Sequence, residues 1–282
     1  RRARPRVRRA PPHAAARPLA RQRARGRDRP MNILEKIVAD RRVDVVRAKS
    51  KIPLGDLAAS ARRRKHRSLA ERLRADGSTH IVAEVKKASP SAGLICRNYD
   101  PSSLARSYEK GGAIGISVLT EPHRFLGSTD HMTAVRKSVS LPILRKDFIF
   151  DPYQVVETAA CGGDVVLLIA AALDPGLMRE LYDAALRLGL EVLAEAHNSR
   201  ELGLVLDLEE AIVGVNSRNL ATLKCGLAAP HGLAAMIPRG RLSIAESGIR
   251  NRADIVKMER MGYDGVLIGE SLLKDGDPAG KV

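Results

Sequence analysis

"IVAEVKKASPSAG" (81–93) is an apolar run that carries charges on both of its sides. The period-two alternation of a strand places Val82, Glu84 and Lys86 on one face and Ala83, Val85 and Lys87 on the other. A carboxylate and an ammonium on the same face of a short buried strand are costly unless that face opens onto a polar cavity. The stretch therefore predicts a strand that ends at a site.

Outward from this strand a rhythm continues to the end of the chain. Runs rich in Val, Ile and Leu recur at 80–87, 113–121, 141–148, 164–171, 191–197, 211–218, 241–247 and 265–271, and each interval is long enough for one helix. "DPSSLARSYEKGG" (100–112) and "DPYQVVETAACGG" (151–163) open with Asp at the cap and Pro in the first turn and close on Gly, as helices do. "DPGLMRELYDAALRLG" (174–189) sets Leu177, Leu181, Ala185 and Leu188 on one stripe for packing against a sheet. Repeated βα units of this kind predict an α/β fold: a single (β/α)8 TIM barrel over 80–282. The alternative is an open doubly wound sheet, but no Gly-x-Gly-x-x-Gly follows the first strand, and "GGAIG" (111–115) reads as a helix stop feeding a strand. Residues 31–79 form a helical N-terminal extension, with helices expected from about Asn32 to Lys49 and around "SLAERLRADG" (68–77). An extension of this size covers one end of the barrel, and the pattern does not say which.

Hydrophobic residues make up 44% of the chain and aromatics 3%, without Trp, so the core is built from Ala, Val, Leu and Ile. That composition suits a parallel sheet covered by helices. The net charge of +16 would suggest nucleic acid or membrane, but residues 1–30 hold 12 Arg against Asp28, which leaves only +5 from Met31 onward. A tract of this composition cannot bury a core and is read as a disordered Arg/Pro-rich tail. A basic arm or a transit peptide are competing readings. The favoured one is translated sequence upstream of a start at "MNILEKIVADRR" (31–42), the tail not being native. Cys96, Cys161 and Cys225 are odd in number and widely spaced, the pattern of a reduced cytoplasmic protein without structural zinc. Glu195 and His197 stand two apart in a strand but lack a third ligand nearby, so no metal is expected. No apolar run reaches the roughly 18 residues of a membrane span.

The active site of such a barrel lies at the C-terminal strand ends, and seven of the eight runs end in polar groups there. These are Glu84 and Lys86; Glu121; Lys146 and Asp147; Glu195; Asn216 and Arg218; Glu246 and Ser247; Gly269 and Glu270. The fourth run, "VVLLIAA" (165–171), ends apolar and suits a hydrophobic part of a ligand. Any one of these charges reads equally well as a salt bridge beneath a loop. Together, lysines and glutamates converging on one cavity shift one another's proton affinities, as general acid–base chemistry requires. "ESGI" (246–249) and "IGES" (268–271) follow the last two strands, where such barrels bind phosphate; the alternative is that their glycines only make tight turns.

"IVAEVKKASPSAG", "SVLTE", "LPILRKDFIFDPYQV", "DVVLLIA", "GVNSRNL", "IAESGI" and "LIGESLL" occur in the order in which indole-3-glycerol phosphate synthase, of tryptophan biosynthesis, carries its motifs. The chain resembles that family from Met31 to about Asp275. The resemblance implies a barrel whose helical extension lies over the active-site end, and ring closure of 1-(2-carboxyphenylamino)-1-deoxyribulose 5-phosphate with loss of CO2 and water. It implies neither metal nor organic cofactor. Lys146 matches the general acid that protonates the substrate ketone, and Lys86 a lysine that contacts anionic groups and takes part in dehydration. Glu195 and Glu84 match carboxylates of proton transfer and iminium stabilisation, and Asn216 the residue that holds the substrate hydroxyl, with Arg218 and Glu246 supporting the substrate. Ser247, Gly248, Gly269 and Glu270 fall on the phosphate site. Ser89, Pro90, Phe125, Phe148 and Leu168 fall near the anthranilate pocket. Ser217 stands where the family usually repeats Asn, and "RFLGS" (124–128) where a double glycine is usual.

Two other readings compete. A phosphoribosylanthranilate isomerase shares the phosphate loops but lacks "EVKKASPS" and "LRKDF". A basic-armed nucleic-acid-binding protein would use residues 1–30 and lose affinity steeply with salt. The expectation is a cytoplasmic enzyme, monomeric, acting on a phosphorylated small molecule and requiring neither nucleic acid nor membrane.

Overall fold

The computed structural model describes residues 31–61, 65–75, 79–220, 226, 228–273, 279–280 and 282. The Arg/Pro-rich residues 1–30, Cys225 and the segment 274–278 lie outside them. Contacts group Asn32–Val282 into one unit.

Eight parallel strands close a barrel. In chain order they are β1 (His80–Val85), β4 (Gly115–Leu119), β5 (Ile143–Lys146), β6 (Val165–Ile169), β7 (Glu191–Ala196), β8 (Ile212–Asn216), β9 (Ser243–Glu246) and β10 (Gly265–Ile268). Each pairs with its successor, and β10 returns to β1 with Ile81 opposite Val266. Every expected run yields a strand, shorter than the run at one or both ends. A further pair, β2 (Ala88–Ser89) and β3 (Gly93–Leu94), makes a small antiparallel hairpin inside the "KASPSAGL" (87–94) loop. Two-residue strands are too short to show alternation, so the sequence pattern gave no sign of it.

The helices between strands are α4 (Pro101–Gly111), α5 (Thr129–Ser138), α6 (Pro152–Ala160), α7 (Pro175–Arg187), α8 (Ser199–Leu206), α9 (Ala228–Leu233) and α10 (Arg252–Arg260). Asp100, Asp151 and Asp174 cap α4, α6 and α7 as expected, each side chain accepting a backbone N–H of the first turn behind a Pro. The buried stripe of α7 is Met178, Leu181, Tyr182 and Ala185. The expected Leu177 and Leu188 lie only partly buried at its flank, because the true stripe runs one position further along the helix.

The extension consists of α1 (Ile33–Lys51), α2 (Leu54–Ala61) and α3 (Leu69–Leu73). It reaches both ends of the barrel. α1 lies across the active-site end, where Leu34 and Ile37 roof the cleft. α3 closes the opposite end: Leu69 and Leu73 join the interior column of Val82, Leu144, Val165, Leu167, Leu193, Ile212, Ile244 and Leu267. The start of α3 is pinned from below by Glu191, the first residue of β7, which accepts the backbone N–H of Leu69 at 2.8 Å and of Ala70 at 3.1 Å.

Candidate active site

Strand parity carries the polar groups of the site inward. Glu84 leaves β1 beside Lys86, and the two form an ion pair at the barrel mouth. Lys146 ends β5, Glu195 leaves β7, Asn216 ends β8 and Glu246 ends β9, and all are buried except Lys146, which is half-buried. Lys146 Nζ donates to Glu195 Oε2 at 3.1 Å and lies 3.4 Å from Glu246 Oε2. Two backbone positions make this crowding possible. A Cβ on Gly214 would stand 2.5 Å from Glu246 Oε1, and one on Gly269 would stand 2.5 Å from Glu84 Oε1.

The proton affinities follow from these contacts. Burial works against the Lys146 ammonium, but Glu195, Glu246 and Glu84 outweigh it and hold the lysine charged well above its ordinary value. Burial alone would raise Glu195, yet Lys146 and then His197 pull it well below the carboxylate range. Glu246 goes the other way: burial, only partly offset by Lys146 and reinforced by the charge of Glu195, pushes its carboxyl up to about 8. Neither oxygen of Glu246 accepts a hydrogen bond among the described residues. One lysine thus sits between a carboxylate and a carboxylic acid, a pairing suited to proton transfer near neutral pH.

Two lobes open around this centre, an apolar one of about 800 Å³ and a polar one of about 860 Å³, each counted with its open mouth. Phe125 and Phe148 wall the apolar lobe with ring centroids 6.5 Å apart, together with Leu119, Leu167, Ile169 and Pro90. Leu168, expected here, faces the helical layer instead. Both faces of β6 are buried, so an unbroken apolar run does not reveal which residues point inward, and the inward ones are Leu167 and Ile169. The second lobe is edged by the turns after β9 and β10, with Ser247, Gly248, Gly269 and Glu270 around it and Arg218, Lys86 and Lys146 facing it. Ser247 and Gly248 both have left-handed backbones, with φ of 64° and 79°, and make the tight turn that "ESGI" suggested.

Asn216 Oδ1 accepts the backbone N–H of Arg218 at 2.9 Å, and Arg218 Nη1 donates to Ser91 Oγ at 3.1 Å. The end of β8 is thereby tied to the β2–β3 hairpin, and Ser89, which also lines the cleft, accepts the N–H of Ala92 inside that turn. Next to Lys146, Asp147 is held by Arg41 of α1 through two hydrogen bonds of 3.0 and 2.8 Å, by Arg145 at 3.0 Å and by the Thr120 hydroxyl at 2.7 Å. The sequence pattern left Arg41, Leu34, Ile37 and Ser91 unmarked. Ser91 lies within the decisive stretch, but the other three lie in the extension, from which Arg41 reaches Asp147 across 106 residues, and carry no local signal. Among the described residues no group of three or more His, Cys, Asp or Glu is placed to hold a metal. No described helix is long and apolar enough to cross a membrane.

Comparison with known proteins places the chain in a family. The chain is 47% identical to the indole-3-glycerol phosphate synthase of Nocardioides sp. over 89% of its own length and 97% of that protein's. It is 43% identical to the synthases of Rhodopirellula baltica, over 88% of this chain and 96% of that protein, and of Azospirillum brasilense, over 87% and 95%. Among solved structures, 3-hexulose-6-phosphate synthase from Salmonella typhimurium superposes with a TM-score of 0.58 at 14% identity, covering 72% of this chain and 94% of that one. At that identity the likeness speaks for the barrel alone. A family model described as indole-3-glycerol phosphate synthase matches residues 34–282, and the chain belongs to that family.

Proposed function

We propose that the cleft closes an indole ring, converting 1-(2-carboxyphenylamino)-1-deoxyribulose 5-phosphate to indole-3-glycerol phosphate, CO2 and water. The observation that carries this reading is the position of Lys146 between Glu195 and Glu246, at the junction of an aromatic lobe and a Ser/Gly-edged lobe. The anthranilate ring fits against Phe125 and Phe148, and the phosphate fits the turns at Ser247, Gly248 and Gly269.

The ring carbon that bears the carboxylate attacks the ketone carbon, and Lys146 gives its proton to the ketone oxygen. Charge develops on the nitrogen as the new bond forms, and Glu195, held ionised, stabilises it. CO2 leaves as the electron pair of its bond to the ring flows into that iminium and neutralises it. The hydroxyl then departs as water with a proton from Lys86, while the carbon beside the nitrogen loses its proton to a carboxylate. Asn216 and Arg218 orient the sugar hydroxyls and the substrate carboxylate. Proton transfers and charge stabilisation by Lys and Glu account for each step, so this reading needs no cofactor or metal. It carries with it a monomer working in the cytoplasm, with no nucleic-acid partner.

Replacing the acid tests the assignment. Lys146→Ala is expected to lower kcat by about 10²–10⁴-fold, the usual worth of general acid–base catalysis, with an unchanged circular dichroism spectrum. A folded variant with near-normal turnover would overturn it.

A further inference from the structure

His197 stands immediately after β7, with each ring nitrogen facing a carboxylate. Nδ1 lies 3.0 Å from Glu201 Oε2, and Nε2 lies 3.3 Å from Glu195 Oε1. Glu201 belongs to α8, and its carboxylate also accepts the backbone N–H of His197 at 2.8 Å and the Asn198 side-chain amide at 2.6 Å. An ionised carboxylate is an acceptor only, and a neutral imidazole has a single N–H. Nδ1 bonds to Glu201, and Nε2, which makes no aligned hydrogen bond, still faces Glu195 at ion-pair distance, so the surroundings favour the imidazolium: burial opposes the charge, but Glu195 and Glu201 raise it to about 10.

The cation breaks a symmetry. Lys146 is shared by Glu195 and Glu246, at 3.1 and 3.4 Å. Of these two carboxylates His197 faces Glu195. Of the other charges at the mouth, Lys86 is paired with Glu84, and Arg218 edges the phosphate lobe.

We propose that His197 is a positioning residue that decides which carboxylate beside Lys146 holds the proton: as an imidazolium bridging Glu201 and Glu195 it keeps Glu195 ionised and leaves the proton on Glu246. Resting on the ring-closure reading above, this divides the labour. Glu195 stabilises the iminium. Lys146 gives its proton to the ketone oxygen and takes one from Glu246, whose carboxylate then accepts the proton lost by the carbon beside the nitrogen at dehydration. Lys146 and Glu246 end as they began, and Lys86, which protonated the departing hydroxyl, takes back a proton from solvent.

Two measurements test it. In the substrate-free protein, 15N chemical shifts of labelled histidine are expected to show both His197 nitrogens protonated at pH 7.5, and a neutral ring at that pH would overturn the proposal. This readout needs no turnover, so it stands apart from any failure of the ring-closure assignment itself. In kinetics, His197→Gln keeps an N–H donor but loses the charge. Its kcat is expected to fall at least about tenfold, part of the full acid–base factor, with KM within about twofold. Without the cation the affinity of Glu195 for a proton rises, so the acid limb of the kcat profile moves up toward neutrality. Glu201→Gln should move the limb the same way. A His197→Gln enzyme with wild-type kcat and an unmoved acid limb would contradict the proposal.

Discussion

At the scale of single residues, the loop after β4 shows a family position filled against its backbone preference. Glu121 caps this loop, its carboxylate accepting the N–H groups of His123, Arg124 and Phe125 at 2.7 to 3.0 Å, and so presents Phe125 to the cleft. Leu126, in the "RFLGS" stretch that departs from the expected double glycine, follows with φ of 52°. A left-handed backbone costs an L-residue with a Cβ about 1–2 kcal/mol, and the side chain regains little because it is 42% exposed. Leu126→Gly is expected to stabilise the protein by up to about 1 kcal/mol after glycine's own entropy cost, or roughly 2–4 °C in Tm. A lower Tm by calorimetry would mean that Leu126 packs better than its exposure indicates. The sequence marked this position as a departure, but strain depends on φ, which no residue spacing encodes.

At the scale of elements, α1 is the part of the site that the sequence described least. Its capping box of Asn32 and Glu35 marks where it begins, and nothing local marks what it covers. Ion pairs fasten it over the mouth, Arg41 to Asp147 and Asp40 to Arg124 at 2.8 Å, with a hydrogen bond between Asp44 and the His123 ring at 2.9 Å. The first is buried, and we expect it to dominate. Arg41→Ala should cost about 2 kcal/mol, less than the roughly 3–5 of a buried charge left wholly unpaired, because Arg145 and Thr120 still hold Asp147. With the roof loosened over Leu34 and Ile37, KM should rise several-fold while kcat at saturation falls less. An unchanged KM would show that the apolar contacts of α1 suffice. The clamp also has a pH sign. Burial would raise Asp147, but Arg41 and Arg145 hold it below its ordinary value, so its contribution is complete above the unfolded carboxylate range and is lost as pH falls below it. Legibility differed among elements for the same reason. α4, α6 and α7 announce themselves by Asp-Pro caps, whereas α2 has no such opening and the β2–β3 hairpin is shorter than a period.

At the scale of the whole molecule, the eightfold alternation of apolar runs and capped helices gave the barrel, and the parity of "IVAEVKK" gave the direction of its first two polar groups. Parity is readable where polar and apolar residues alternate, as at Glu84 and Lys86, and unreadable in the all-apolar β6, so nothing in the pattern could correct the Leu168 implied by the resemblance to Leu167 and Ile169. The closure of both barrel ends by one extension was not readable, since which end a helix covers is decided by contacts between distant residues such as Leu69 with the interior column. The chemistry sits where these two levels meet, with strand parity delivering Lys146, Glu195 and Glu246 to one point and the extension roofing the cavity above them. The most direct test of that arrangement is to incubate the purified protein with 1-(2-carboxyphenylamino)-1-deoxyribulose 5-phosphate and follow indole fluorescence together with released CO2. The account predicts indole-3-glycerol phosphate and CO2 in equal amounts; substrate recovered unchanged, or consumed with its carboxylate retained, would contradict it.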